Sequence, residues 1–207
     1  MHRYQASMRP AQQHVYILPG RVQSEDMLGG SVDPFEQCLA RGRLKAIEPD
    51  AELIASELNT ALEEFERART CFVSGNWDET ATQAYFAMYR CARAALNARG
   101  YRDTNLFGLC VGLERVFLVP EGLPLAVVKQ LRDAKDIKDA VYCGHRATAQ
   151  HARSLLQWSL NFGRMVFARI RLPGFDPASI DVSLPEPPDP ARGRPLPGRP
   201  RITEGED

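Results

Sequence analysis

From about residue 50 to residue 171, apolar residues recur at steps of three and four, and nowhere do they alternate for long. That spacing puts them on one face of a helix and gives a strand no buried side, so it predicts an all-α chain. The densest example is "NWDETATQAYFAMYRCARAALNARGYRD", Asn76 to Asp103. Ala81, Ala84, Tyr85, Met88, Cys91, Ala92, Ala95 and Leu96 form one broad apolar face there. Small residues alternate with large ones along it, which lets neighbouring helices approach closely. A face of this kind left open on a surface would mark an interface, so a homodimer is expected.

The other helices follow from the same period and from their end signals. "DPFEQCLARGRL" opens on Asp33 as N-cap, with Pro34 at the first helical position and Glu36 completing a capping box. A long helix is expected from about Asp50 to Ser74, with Leu58, Leu62, Phe65, Ala68 and Phe72 inward. Gly75 ends it and Asn76 caps the next, which Gly100 stops. A shorter helix is expected from about Thr104 to Leu118, with Leu106, Leu109, Leu113, Val116 and Phe117 inward. After "PEGLP", Pro124 opens a helix that runs near Gly144, through Val127, Leu131, Ala134, Ile137 and Val141. The last helix runs from about Arg146 to Arg171, before Pro173. No convincing strand is found. The expected fold is an up-and-down bundle of four to five main helices over residues 33–172.

Residues 1–32 lack a helical period and are read as a flexible arm, with Met27 as an alternative start. Residues 173–207 are dense in proline and charge and are read as a disordered, solvated tail, with "PLPGRP" as a minor docking motif. Lys+Arg and Asp+Glu both number 26, so no global basic field points to nucleic acid. The five cysteines are widely spaced and show no metal-ligand pattern, which reads as small core residues in a reducing cytoplasm. No apolar run approaches the roughly 20 residues of a membrane span, and no signal peptide is evident. No metal and no cofactor are expected.

Four features together, "ALEEFERAR", the Gly-Asn-Trp turn, "AYFAMYRCARAAL" and "ARGYRD", resemble the HEPN superfamily (higher eukaryotes and prokaryotes nucleotide-binding). The likeness is to the small prokaryotic proteins encoded beside a minimal nucleotidyltransferase, and it runs from about Phe35 to Phe167. The resemblance implies a dimerising helical bundle of a toxin–antitoxin or defence-type module, with a nucleotidyltransferase as antitoxin partner. In the toxin branch it also implies metal-independent RNA cleavage by an Arg and a His, or an equivalent Tyr, five residues apart. An Arg neutralises the scissile phosphate while the second group moves the proton of the 2′-hydroxyl.

The matching segment is "RDAKDIKDAVYCGHR", and it departs from that pattern. Five residues before Tyr142 stands Ile137, and the position of the family's mid-chain His is Leu106. A displaced catalytic set would have to come from Tyr142, His145 and Lys138, with Arg132, Arg146 and Arg90 as phosphate contacts. Read without the resemblance, Tyr142 is a core or cleft-wall aromatic, His145 a solvated residue beyond Gly144, and Arg90, Arg93 and Arg99 surface residues. Trp77 and Tyr85 are core anchors on that reading. The balance is a protein that binds RNA or a nucleotide, or assembles with a partner, around a degenerate ribonuclease site. The alternatives are an active endoribonuclease toxin and an unrelated helical scaffold.

Overall fold

A computed structural model describes residues 33–170, 181 and 183–188. The arm at 1–32 and most of the proline-rich segment lie outside the described residues. The described chain is a helical bundle: α1 (Pro34–Ala40), α2 (Ala51–Val73), α3 (Trp77–Asn97), α4 (Leu106–Leu113), α5 (Ala126–Tyr142) and α6 (Ala149–Phe167). A two-stranded ribbon, β1 (Leu44–Ala46) and β2 (Tyr101–Asp103), lies beside them. Among the described residues no helix is long and apolar enough to cross a membrane.

The helix ends are set by the residues that the sequence puts there. The Asp50 carboxylate accepts from the Glu52 and Leu53 amides and starts α2. The Asn76 side chain accepts from the Glu79 amide and starts α3. Between them Gly75 takes φ +75°, where a side chain would be strained. At the first helix the expected capping box is absent. Asp33 accepts from Phe35 N at 3.0 Å and faces Arg115 across 3.6 Å, so Glu36 has no part in it.

α3 lies at the centre and packs on α2, α5 and α6. Ala81, Ala84, Met88, Cys91, Ala92, Ala95 and Leu96 are all fully buried. The alanine-rich face is therefore consumed inside the protomer, by Leu58, Ala61, Phe65 and Phe72 of α2 and by α6. It does not remain as the open patch from which a dimer was expected. The small residues serve close packing instead. On α6, Gly163 lets Phe65 fill the space where a side chain would stand: a Cβ there would lie 2.5 Å from Phe65 Cζ.

The expectation of no strand is corrected by the ribbon. β1 and β2 pair antiparallel with Leu44 opposite Asp103, Lys45 opposite Arg102 and Ala46 opposite Tyr101. Ile47 N–H extends the pairing to Gly100 O at 2.9 Å, and Thr104 N–H reaches Arg43 O at 3.1 Å. Three residues per strand are too few to write a two-residue period into a sequence. The expected helix from Thr104 to Leu118 is split as well. α4 passes at Glu114 into one π-helical turn, Glu114–Leu118. Phe117 and Leu118 both lie inward in this turn.

The described part of the proline-rich segment touches the bundle at several residues, while Asp181, Ser183, Glu186 and Pro187 are exposed. Arg69 on α2 donates to the carbonyl oxygens of Asp181 and Ser183, each at 2.8 Å. Leu184 packs against the core.

Candidate functional site

Of the expected site residues, Lys138, Tyr142, His145 and Arg146 lie along the last turns of α5 and the loop to α6, whereas Arg132 lies earlier on α5 and Arg90 on α3. Lys138 and Tyr142 stand one turn apart and touch, the ammonium 4.9 Å from the Tyr142 ring centre. The same ammonium lies 5.3 Å from the ring of Tyr85 and 5.9 Å from that of Phe86, both on α3. Tyr85 is itself stacked on Tyr89 at 6.0 Å. An ammonium over ring faces is held by their negative potential, and most strongly where water is scarce. The Lys138 side chain is only 17% exposed and also pairs with Asp139 Oδ1 at 2.6 Å. The result is a cation set among three rings, with Tyr142 forming the outer wall.

Tyr142 is 69% exposed, which overturns its reading as a core aromatic. Ile137, five residues before it, packs against the core. So does Leu106 at the head of α4. The two positions where the resemblance expects a polar dyad thus contribute apolar packing. Trp77 and Tyr85 do anchor the interior, Trp77 edge-on to Phe72 at 5.4 Å and Tyr85 buried. Burial raises the Tyr85 phenol well above its ordinary value. It therefore stays protonated in neutral water and offers no base.

The remaining candidates do not converge on Lys138. His145 lies beyond the end of α5, exposed, with its backbone N–H bonded to Ala140 O at 3.0 Å. Arg146 is 89% exposed but its guanidinium meets Asp78 Oδ2 at 2.6 Å. Arg132 hydrogen-bonds the Cys110 thiol on α4, and burial still raises that thiol's pKa. Six residues along a helix separate Arg132 from Lys138, roughly 9 Å of rise.

Arg90 and Arg93 are not free surface cations either. Arg90 Nη1 meets Glu57 Oε2 at 3.1 Å, and Arg93 Nη1 meets Glu57 Oε1 at 3.1 Å. Arg93 Nε then reaches Asp103 Oδ1 at 3.2 Å, and the Tyr89 hydroxyl donates to Asp103 Oδ2 at 3.2 Å. Burial, and after it the Asp103 charge, raise the Tyr89 phenol. This network ties β2 to α2 and α3. Arg99 instead pairs with Glu121 while lying over the Phe117 ring. Glu57 and Asp103 escaped sequence reasoning. For Glu57 a signal existed, since an acid between Ile54, Leu58 and Ala61 sits on the buried stripe and has to find a cation.

Asp78 clamps the α5–α6 loop to the first turn of α3, accepting from Ala147 N at 2.7 Å as well as from Arg146. Burial pushes its pKa up, but the Ala147 amide and the Arg146 guanidinium outweigh that and leave it below its ordinary value. A carboxylate with a depressed folded pKa stabilises fully above its unfolded value, about 4, and loses the contribution as pH falls through the folded value. Asp78→Asn is expected to cost about 1–2 kcal/mol at pH 7. Thermal melts should show the gap from wild type closing below about pH 4.

Chemically, the exposed Tyr142 ring, with the half-buried Phe86 and Tyr89 beside Lys138, can stack planar groups next to a cation, while Tyr85 backs the face from inside. Its Lys138 is already paired with Asp139 and its Tyr89 with Asp103. Among the described residues no group of three or more His, Cys, Asp or Glu side chains could hold a metal ion. No family model, curated protein or solved structure matches the chain.

Proposed function

We propose that this chain is a HEPN-like helical module of a cytoplasmic toxin–antitoxin or defence-type pair that binds RNA or a nucleotide without cutting it. It works as a homodimer or beside a nucleotidyltransferase partner, and its ribonuclease site is degenerate. The observation that carries the reading is the setting of Lys138 among the rings of Tyr85, Phe86 and Tyr142, beside an Ile137 that packs inward. Stacked bases gain from aromatic faces whatever their sequence, and a nearby ammonium offsets phosphate charge. An arginine at position 137 would have added a fixed, two-pronged phosphate clamp, and isoleucine has no such group. Its absence costs a cleavage reaction on the order of a thousandfold in rate.

The test pairs binding with cleavage on the purified full chain. Fluorescence anisotropy with a labelled single-stranded RNA should give salt-sensitive binding. Tyr142→Ala should weaken it by roughly tenfold, the usual worth of one stacked base. Total RNA should survive incubation. Robust cleavage that His145→Ala or Tyr142→Phe abolishes would promote the toxin reading, and no binding by wild type would end the RNA reading. Light scattering at micromolar concentration reads the dimer.

A further inference from the structure

The described piece of the proline-rich segment lies along the C-terminal half of α2, and its contacts are those of a bound peptide. Arg69, only 18% exposed, directs one guanidinium nitrogen at the carbonyl oxygens of both Asp181 and Ser183. Its other terminal nitrogen meets Asp181 Oδ2 at 2.8 Å. Two main-chain carbonyls on one guanidinium nitrogen make little demand on side chains, and the Ser183 N–H, donating to Asp181 Oδ1 at 2.9 Å, helps to bring the two carbonyls together. Selectivity comes from the rest. The Asp181 carboxylate completes the fork, and Leu184 packs against the core. Pro185 lies beside Val73 and Thr70 in a shallow surface depression. Pro188 closes the far end, its Cγ 3.4 Å from where a Cβ on Gly75 would stand. Exposure follows the same division: Leu184, Pro185 and Pro188 are half-buried while Asp181, Ser183, Glu186 and Pro187 are exposed.

We infer that this half of α2 is a peptide-binding groove whose resident ligand is the chain's own proline-rich segment, held in cis. Proline-rich segments suit such a role because they are already extended before they bind and so lose little entropy. The groove lies on α2, away from Lys138 on α5, and the inference does not depend on RNA binding. The ligand chemistry that it selects is a proline-rich segment with a carboxylate two residues before Ser-Leu-Pro. A partner that carries such a segment competes for the same groove.

A fluorescein-labelled peptide with the sequence of residues 178–190, titrated into the full chain, tests this. Wild type should take up the peptide weakly, because its own segment holds the groove. The double variant Asp181→Ala/Leu184→Asp, which spoils the resident segment and leaves α2 intact, should bind it at least tenfold more tightly. Adding Arg69→Lys, which keeps the charge and removes the fork, should return uptake to the wild-type level; circular dichroism verifies that all three proteins keep their helices. Equal, weak uptake by wild type and double variant would overturn the groove. Conversion of a dimer to a monomer by the double variant would assign the segment to a second copy and overturn binding in cis.

Discussion

Phe65→Ala is expected to destabilise the bundle by about 4 kcal/mol, the cost of a fully buried phenyl ring and the cavity it leaves. Phe65 is 2% exposed and stands between α2 and the Gly163 face of α6. The cavity therefore opens at the contact that holds the first long helix to the last. Gly163→Ala should cost about 2 kcal/mol alone, because the new methyl would press on a ring that close packing prevents from moving. Combined with Phe65→Ala the same methyl enters the empty space. The double variant should then be more stable than the sum of the two losses, by about 1–2 kcal/mol of coupling. Chemical denaturation of the four proteins measures this. Strict additivity would mean that the two residues do not share the space.

Arg93→Ala is expected to cost about 3 kcal/mol, since removing one partner from a buried ion pair strands the other. Glu57 would keep Arg90, but the Asp103 carboxylate, 3% exposed, would keep only the Tyr89 hydroxyl. A domain of this size loses roughly 2–4 °C per kcal/mol, so a melting point about 10 °C lower is expected. Asp103→Asn placed on Arg93→Ala should recover part of the loss, because the stranded charge is removed. If Arg93→Ala melts within a degree or two of wild type, the network contributes nothing to the attachment of β2.

The long helices were legible because each carries several turns of apolar period and ends at a residue that can be read. Asn76, Gly75 and Gly100 act where they were expected to act, and Asp50, given only as the approximate start of its helix, proves to be the cap. The ribbon was not legible, because its pairing is fixed by contact between distant segments. The π-helical turn was hidden for a related reason. Its extra residue leaves the apolar content of "ERVFL" unchanged and alters only which side chains share a face. At the candidate site, Tyr142 was singled out through the resemblance and Lys138 as its polar neighbour, but their setting was not legible. The rings of Tyr85 and Phe86 come from another helix, and Asp78 lies far in sequence from the Arg146 that it holds. A charged residue in a sequence shows only that a partner is needed. Which of the 26 acids takes it is decided by packing.

The ribbon has a consequence for the order in which the chain acquires its structure. α2 and α3 meet through a short turn, so their contact closes a small loop early. β1 and β2 lie roughly 60 positions apart in sequence, with that whole hairpin between them. Their pairing must wait until the hairpin has brought both ends of the loop together. The strands therefore zip last in refolding and open first in unfolding. Amide protons across Leu44 and Asp103 should exchange ahead of those in the middle of α3.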